Sequence, residues 1–157
     1  MKTKKPIAEI QVSEMMTRQV HSLMANDSIQ DAVALMLDHN LTSIPVIGPE
    51  NNCIGILSHS DLTELFLQED DELSRVLDTP RLSMEWLNRT LDTCDARQVS
   101  ELMTHEVTTI REDQTLSETC KALVRGRIHH LPVVDDQDQI TGIVSAFDVV
   151  KTIASQE

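Results

Sequence analysis

The chain has 157 residues, a formal net charge of −13, and 40% hydrophobic and 25% charged residues. That length suits one compact domain or two small units sharing a core. The acidic balance speaks against nucleic acid or an anionic membrane surface as partner, since both select clustered Lys and Arg, and with Phe66, Trp86 and Phe147 as the sole aromatics there is no stacking platform for single strands.

The N-terminus, Met1-Lys-Thr-Lys-Lys-Pro6, is basic, but no hydrophobic segment of signal-peptide length follows it. No apolar run approaches the roughly 20 residues of a membrane helix, so no membrane insertion is expected. Cys53, Cys94 and Cys120 are widely spaced and form no CxxC pair, which reads as free thiols in a reducing compartment. Cytoplasmic localisation is the expectation.

From residue 11 the chain repeats itself. Gln11-Val-Ser-Glu-Met-Met-Thr17 returns as Gln98-Val-Ser-Glu-Leu-Met-Thr104, an offset of 98 − 11 = 87. The same offset carries Ile44-Pro-Val-Ile47 onto Leu131-Pro-Val-Val134, and Gly55-Ile-Leu-Ser-His-Ser-Asp61 onto Gly142-Ile-Val-Ser-Ala-Phe-Asp148. Three separated blocks in one register mark a tandem duplication. The expected organisation is a first repeat with an N-terminal arm over 1–67, a helical insert over 68–96 and a second repeat over 97–157.

Each repeat has the same run of signals. Val20 to Met24, or Val107 to Ile110, suits a short strand. Ser28 or Thr115 can then N-cap a helix, with Asp31 or Glu118 three residues on. Ile29, Val33 and Met36, or Leu116, Cys120 and Leu123, fall at i, i+4 and i+7 of that helix. The Pro-Val strand follows, then a polar turn (Gly48–Asn52 or Asp135–Asp138) and another strand (Cys53–Leu57 or Ile140–Val144), which predicts an antiparallel hairpin. A last helix begins near Ser60 or Phe147. The fold class is α/β (α+β), with one open sheet face per repeat, and repeats this small should pack face to face. The insert starts acidic, Glu69-Asp-Asp-Glu72, and Thr79 before Pro80 with Met84, Leu87 and Leu91 on one face predicts a connecting helix; a partner-docking element is the alternative.

These blocks, in this order and twice over, resemble the cystathionine-beta-synthase (CBS) domain, and two copies in one chain resemble a Bateman module. The resemblance implies β-α-β-β-α units packed about a pseudo-two-fold axis, and a homodimer shaped as a flat disc. It implies an adenosine-containing ligand (AMP, ADP, ATP or another adenosyl compound) in the cleft between repeats. It also implies a regulatory role without catalysis, exerted here on a protein partner in trans, with no required cofactor.

Gly55-x-x-Ser58-x-x-Asp61 and Gly142-x-x-Ser145-x-x-Asp148 put a Ser at a strand end and an Asp in the first helical turn. The resemblance gives these carboxylates the ribose hydroxyls, and an acceptor-only group suits a vicinal diol. The same spacing is also that of a capping box, which holds the helix without any ligand. By resemblance, Thr17 and Thr104, with the pairs Leu41-Thr42 and Ile128-His129, line an adenine pocket, and His129-His130 reach phosphate. His lacks the permanent charge and fork of Arg, and the first repeat has Thr42 and Ser43 in those places, so the two halves are not expected to be equivalent.

Adjacent strand residues point to opposite faces, so His129 and His130 make a poor zinc pair. Asp135-Asp136-x-Asp138 and Glu69–Glu72 are oxygen-rich enough for a divalent-cation sensor to stand as an alternative, although solvated turns commonly look the same. No nucleophile elbow, phosphate loop or paired catalytic carboxylate is recognisable, so no enzyme activity is expected. A ligand-free dimerisation scaffold is the competing function.

Overall fold

A computed structural model of the chain describes residues 6–69 and 97–156. The insert's expected helix, with Thr79, Pro80, Met84, Leu87 and Leu91, lies outside the described residues, as does Cys94. Two three-stranded mixed sheets carry the fold, which is α+β. The first holds β1 (Leu23–Met24), β2 (Ser43–Ile47) and β3 (Cys53–Ser58), in that order, with helices α1 (Ile29–His39) and α2 (His59–Glu69). A short helix α3 (Val99–Leu102) precedes the second set: β4 (Ile110–Arg111), α4 (Leu116–Gly126), β5 (His130–Val134), β6 (Ile140–Ser145) and α5 (Ala146–Ala154).

The helix starts follow the capping signals. Ser28 Oγ accepts from Asp31 N–H at 3.0 Å, and Thr115 Oγ1 accepts from Glu118 N–H at 3.3 Å. Glu118 returns the favour by accepting from Thr115 N–H at 2.7 Å, and this backbone bond is the main reason its carboxyl is held below the usual Glu range. Both helices end on a left-handed residue, Asn40 (φ 52°) and Arg127 (φ 50°), which are again 87 apart. Asn takes that backbone readily because its side chain is short and polar; Arg does not.

β1 pairs with β2 in parallel, Leu23 beside Val46, and β4 pairs likewise with β5, Ile110 beside Val133. β5 and β6 form the expected antiparallel hairpin, from His130 opposite Ser145 to Val134 opposite Ile140, with an irregularity at Val133–Val134. The first strands are shorter than the sequence suggests. Only two residues of each pair, because they meet the sheet at its edge beside the last residues of the Pro-Val strand.

The chain's contacts divide it into two units that differ from the two repeats. The first unit draws on Met1–His21, Pro49–Cys53 and Glu106–Glu157; the second on Ser22–Gly48 and Ile54–His105. The Gln-Val-Ser-Glu arm of each repeat therefore packs in the unit built on the other repeat's sheet. In the first unit, Val12 N–H donates to Gln114 O, and Ile10, Val12 and Met15 join a core with Ile110, Leu116, Leu123, Leu131, Val133, Val144 and Val149. In the second, Val99 N–H donates to Asp27 O, and Val99 and Met103 join Leu23, Ile29, Val33, Ile44, Val46 and Leu57. The arms are apolar at matched places, so each buries the same face against its acceptor sheet.

Candidate functional site

Each unit gathers one set of the residues singled out above. In the second unit Thr104 pairs with Ile56 through two backbone hydrogen bonds, N–H to Ile56 O at 2.9 Å and Ile56 N–H to Thr104 O at 3.1 Å. In the first, Thr17 and Ile143 exchange the same two bonds at 2.9 and 3.0 Å. Each Thr, exposed at its side chain, thus lies two residues before the Ser of the Gly-x-x-Ser-x-x-Asp motif on the neighbouring strand. The motif's glycine makes that approach feasible. A Cβ on Gly55 would fall 2.5 Å from Met103 Sδ and 3.2 Å from Thr104 O, and one on Gly142 would fall 2.7 Å from Met16 Sδ and 3.1 Å from Thr17 O.

The Ser and Asp of each motif form reciprocal capping boxes. Asp61 Oδ2 accepts from Ser58 N–H and from Ser58 Oγ, both at 2.7 Å, while Asp61 N–H donates to Ser58 Oγ at 3.4 Å. Asp148 Oδ2 accepts from Ser145 N–H at 2.8 Å and Ser145 Oγ at 2.6 Å, and Asp148 N–H donates to Ser145 Oγ at 3.1 Å. Capping and ligand contact looked mutually exclusive in the sequence. They are separable, because Oδ2 makes every capping bond and Oδ1 of each Asp has no hydrogen bond from the described residues. Both Asp side chains are half-buried at a helix N-terminus, where further free N–H groups and the dipole favour an electron-rich group.

The pre-strand pairs close each set. His59 N–H, at the start of α2, donates to Thr42 O at 3.0 Å, and Ala146 N–H, at the start of α5, donates to His129 O at 2.9 Å. Leu41 and Ile128 are half-buried, whereas Thr42 and His129 are exposed. The sets are thus Leu41, Thr42, Ser58, Asp61 and Thr104 in one unit, and Thr17, Ile128, His129, His130, Ser145 and Asp148 in the other. The alternative pairing of His129 and His130 with Asp61 gives way to a set within one unit, in which His130 lies opposite Ser145 and within electrostatic reach of Asp148. Burial holds the His130 imidazole below the usual His range, the charge of His129 adds to this, and Asp148 opposes it.

Sequence reasoning missed the surroundings of Asp61. A cavity of about 220 Å³ is lined by Asp61, Glu64 and Leu65 of α2 with Arg97, Glu101 and Leu102. The signal for Glu64 was its i+3 spacing from Asp61; Arg97 and Glu101 come from a segment 36 or more residues away in sequence. The oxygen-rich turn has its own occupation: Asp135 Oδ1 accepts from Gln137 N–H at 2.9 Å and Gln139 N–H at 3.0 Å, and Asp136 pairs with Arg111. Among the described residues no three His, Cys, Asp or Glu side chains are grouped to hold a metal ion, and no helix is long and apolar enough to cross a membrane.

A family model described as CBS domain matches residues 12–68 and 99–155. The uncharacterized protein MJ1426 of Methanocaldococcus jannaschii is 25% identical over 152 residues, covering 90% of each chain. The chain spans only 22–25% of several longer curated relatives. Among solved structures, CBSX2 of Arabidopsis thaliana in complex with AMP is similar with a TM-score of 0.71 at 23% identity, covering 93% of this chain and 97% of that one. The CBS domain pair of protein MJ0100, in complex with 5′-methylthioadenosine and S-adenosyl-L-methionine, gives a TM-score of 0.75 at 20% identity over 97% of this chain and all of that one.

Proposed function

The chain belongs to the CBS domain family, and from that premise we propose that it is a non-catalytic regulatory sensor of an adenosine-type ligand, acting on a protein partner in trans. Residues 1–67 and 97–157 are taken as the two sensing repeats, joined by 68–96. The observation that carries the reading is the spare Oδ1 of Asp61 and Asp148. Each belongs to a carboxylate already fixed by its capping bonds, at a helix N-terminus and beside an arm threonine. Such an oxygen is a preorganised acceptor for a ribose hydroxyl, and Thr17 or Thr104 offers a hydroxyl to the base. AMP on CBSX2 and the adenosyl compounds on MJ0100, proteins of the same fold, add weight to this ligand class. His129 and His130 make the first unit the better home for a phosphate, because a bound anion there raises the imidazole pKa values and recruits a proton.

A thermal-shift series with AMP, ADP, ATP, adenosine and S-adenosylmethionine at near-physiological salt tests the reading. A binding compound at 100 times its Kd stabilises the fold by about 2.7 kcal/mol. Asp61→Ala and Asp148→Ala should each reduce that shift, and no shift with any compound would sink the proposal.

A second reading, a ligand-free homodimerising scaffold in the cytoplasm, has its own support. Phe147 and Val150 on α5 are 74% and 61% exposed, on a face that a second copy can cover. It predicts that Phe147→Glu lowers the mass seen by light scattering and that the aspartate substitutions change stability alone.

A further inference from the structure

The two poles differ in three places that the offset of 87 puts in register: Thr42 against His129, Ser43 against His130 and Glu64 against Lys151. Every difference makes the first unit more basic and the second neutral or acidic. Around Asp61 the cavity adds Glu64 and Glu101 to the aspartate, against one guanidinium. An anion entering there meets more negative than positive charge, whereas an uncharged group does not.

Ser43 has a second property. It is only 8% exposed, and its Oγ, fully shielded, has no hydrogen-bond partner. Leaving a buried hydroxyl unpaired is costly, and folded proteins rarely do so without a reason. In β2, Ile44 and Val46 point into the second unit's core, so by strand alternation Ser43 lies on the opposite sheet face. It is next to Thr42, whose carbonyl holds the first N–H of α2, two residues before Asp61. The other shielded and unpaired hydroxyl among the described residues, Thr141, lies at the far end of its strand from Ser145.

We propose that Ser43 is a ligand-binding residue that sets specificity, and that the pole containing it takes a nucleoside or adenosyl compound without a phosphate while the His130 pole takes the phosphorylated ligand. The inference rests on the sensor reading and deepens it. In the absence of ligand the Ser43 hydroxyl is a local cost; with ligand it gains the partner it lacks. Function and stability at this position therefore have opposite signs.

The test is calorimetric titration of the full chain with adenosine and with AMP, using wild type, Ser43→Ala and the near-isosteric Ser43→Cys, alongside melting of each chain without ligand. Ser43→Ala should weaken adenosine about three- to tenfold, the loss of one neutral hydrogen bond, weaken AMP less, and leave the ligand-free melting temperature unchanged or higher. Ser43→Cys should keep the fold and lose adenosine affinity in the same direction. Unchanged adenosine affinity in both variants, or a lower ligand-free melting temperature with equal losses for the two ligands, would overturn the assignment. A wild-type chain that binds neither compound overturns the sensor reading itself, an outcome distinct from binding that ignores Ser43.

Discussion

The two units share one frame and differ in chemistry. Both hold a glycine under the methionine of a docked arm, a Ser-Asp capping box at a helix start, and a carbonyl of the pre-strand pair on the first helical N–H. They part where no backbone bond is at stake, at Ser43 against His130, Glu64 against Lys151, and Ser60 and Thr63 against Phe147 and Val150. Duplication preserves what the frame requires and releases the side chains that face a ligand or partner. The frame positions can therefore be tested as matched pairs, and the released positions as contrasts.

The largest expected effect is at the paired glycines. Gly55→Ala and Gly142→Ala each force a methionine sulfur and a backbone carbonyl outward, and should destabilise by about 1–3 kcal/mol in urea unfolding. Gly55→Ala should cost more, since Met103 is buried whereas Met16 is half-buried and can swing aside. A loss at one glycine alone would mean that only one arm is docked in solution.

Next come the caps. Ser58→Ala and Ser145→Ala should each cost about 1 kcal/mol. The second should cost more, because its capping hydroxyl accepts from Asp148 N–H at 3.1 Å against 3.4 Å at Asp61. The reverse order by chemical denaturation would show that ligand-free α2 is held by something other than its cap.

The left-handed pair comes third. Arg127→Asn should raise stability by a few tenths to about 1 kcal/mol, and Asn40→Arg should lower it by a similar amount, since the backbone at both places favours Asn. Melting temperatures of the two variants check this.

The smallest effect is a contrast in pH. Burial keeps the His130 imidazole neutral in the fold, so the unfolded chain binds its proton first as pH falls, and stability from this group is lost below about pH 6.5. His130→Ser, which copies the Ser43 side, should lose less stability than wild type between about pH 7.5 and 5.5. Phosphate on His130 would act the other way, with affinity for AMP rising as pH falls.

The element order, the duplication and the helix caps were legible in the sequence because they are local or periodic: a cap depends on residues three apart, and a repeat needs only its register. Ser58, Asp61, Ser145 and Asp148 could be named as candidates for the same reason. The sequence alone also determined the charge contrast, since aligning the halves exposes Ser43 against His130. Only the tertiary structure decided which arm docks in which unit. Both arms carry nearly the same residues and suit either sheet, so the choice depends on chain connections that local pattern does not encode. It also decided that one carboxylate can cap a helix and keep an acceptor spare, because that depends on which oxygen faces the cap. The unpaired hydroxyl of Ser43 was likewise hidden, since burial without a partner is a property of everything packed around a residue and of nothing in the residue itself.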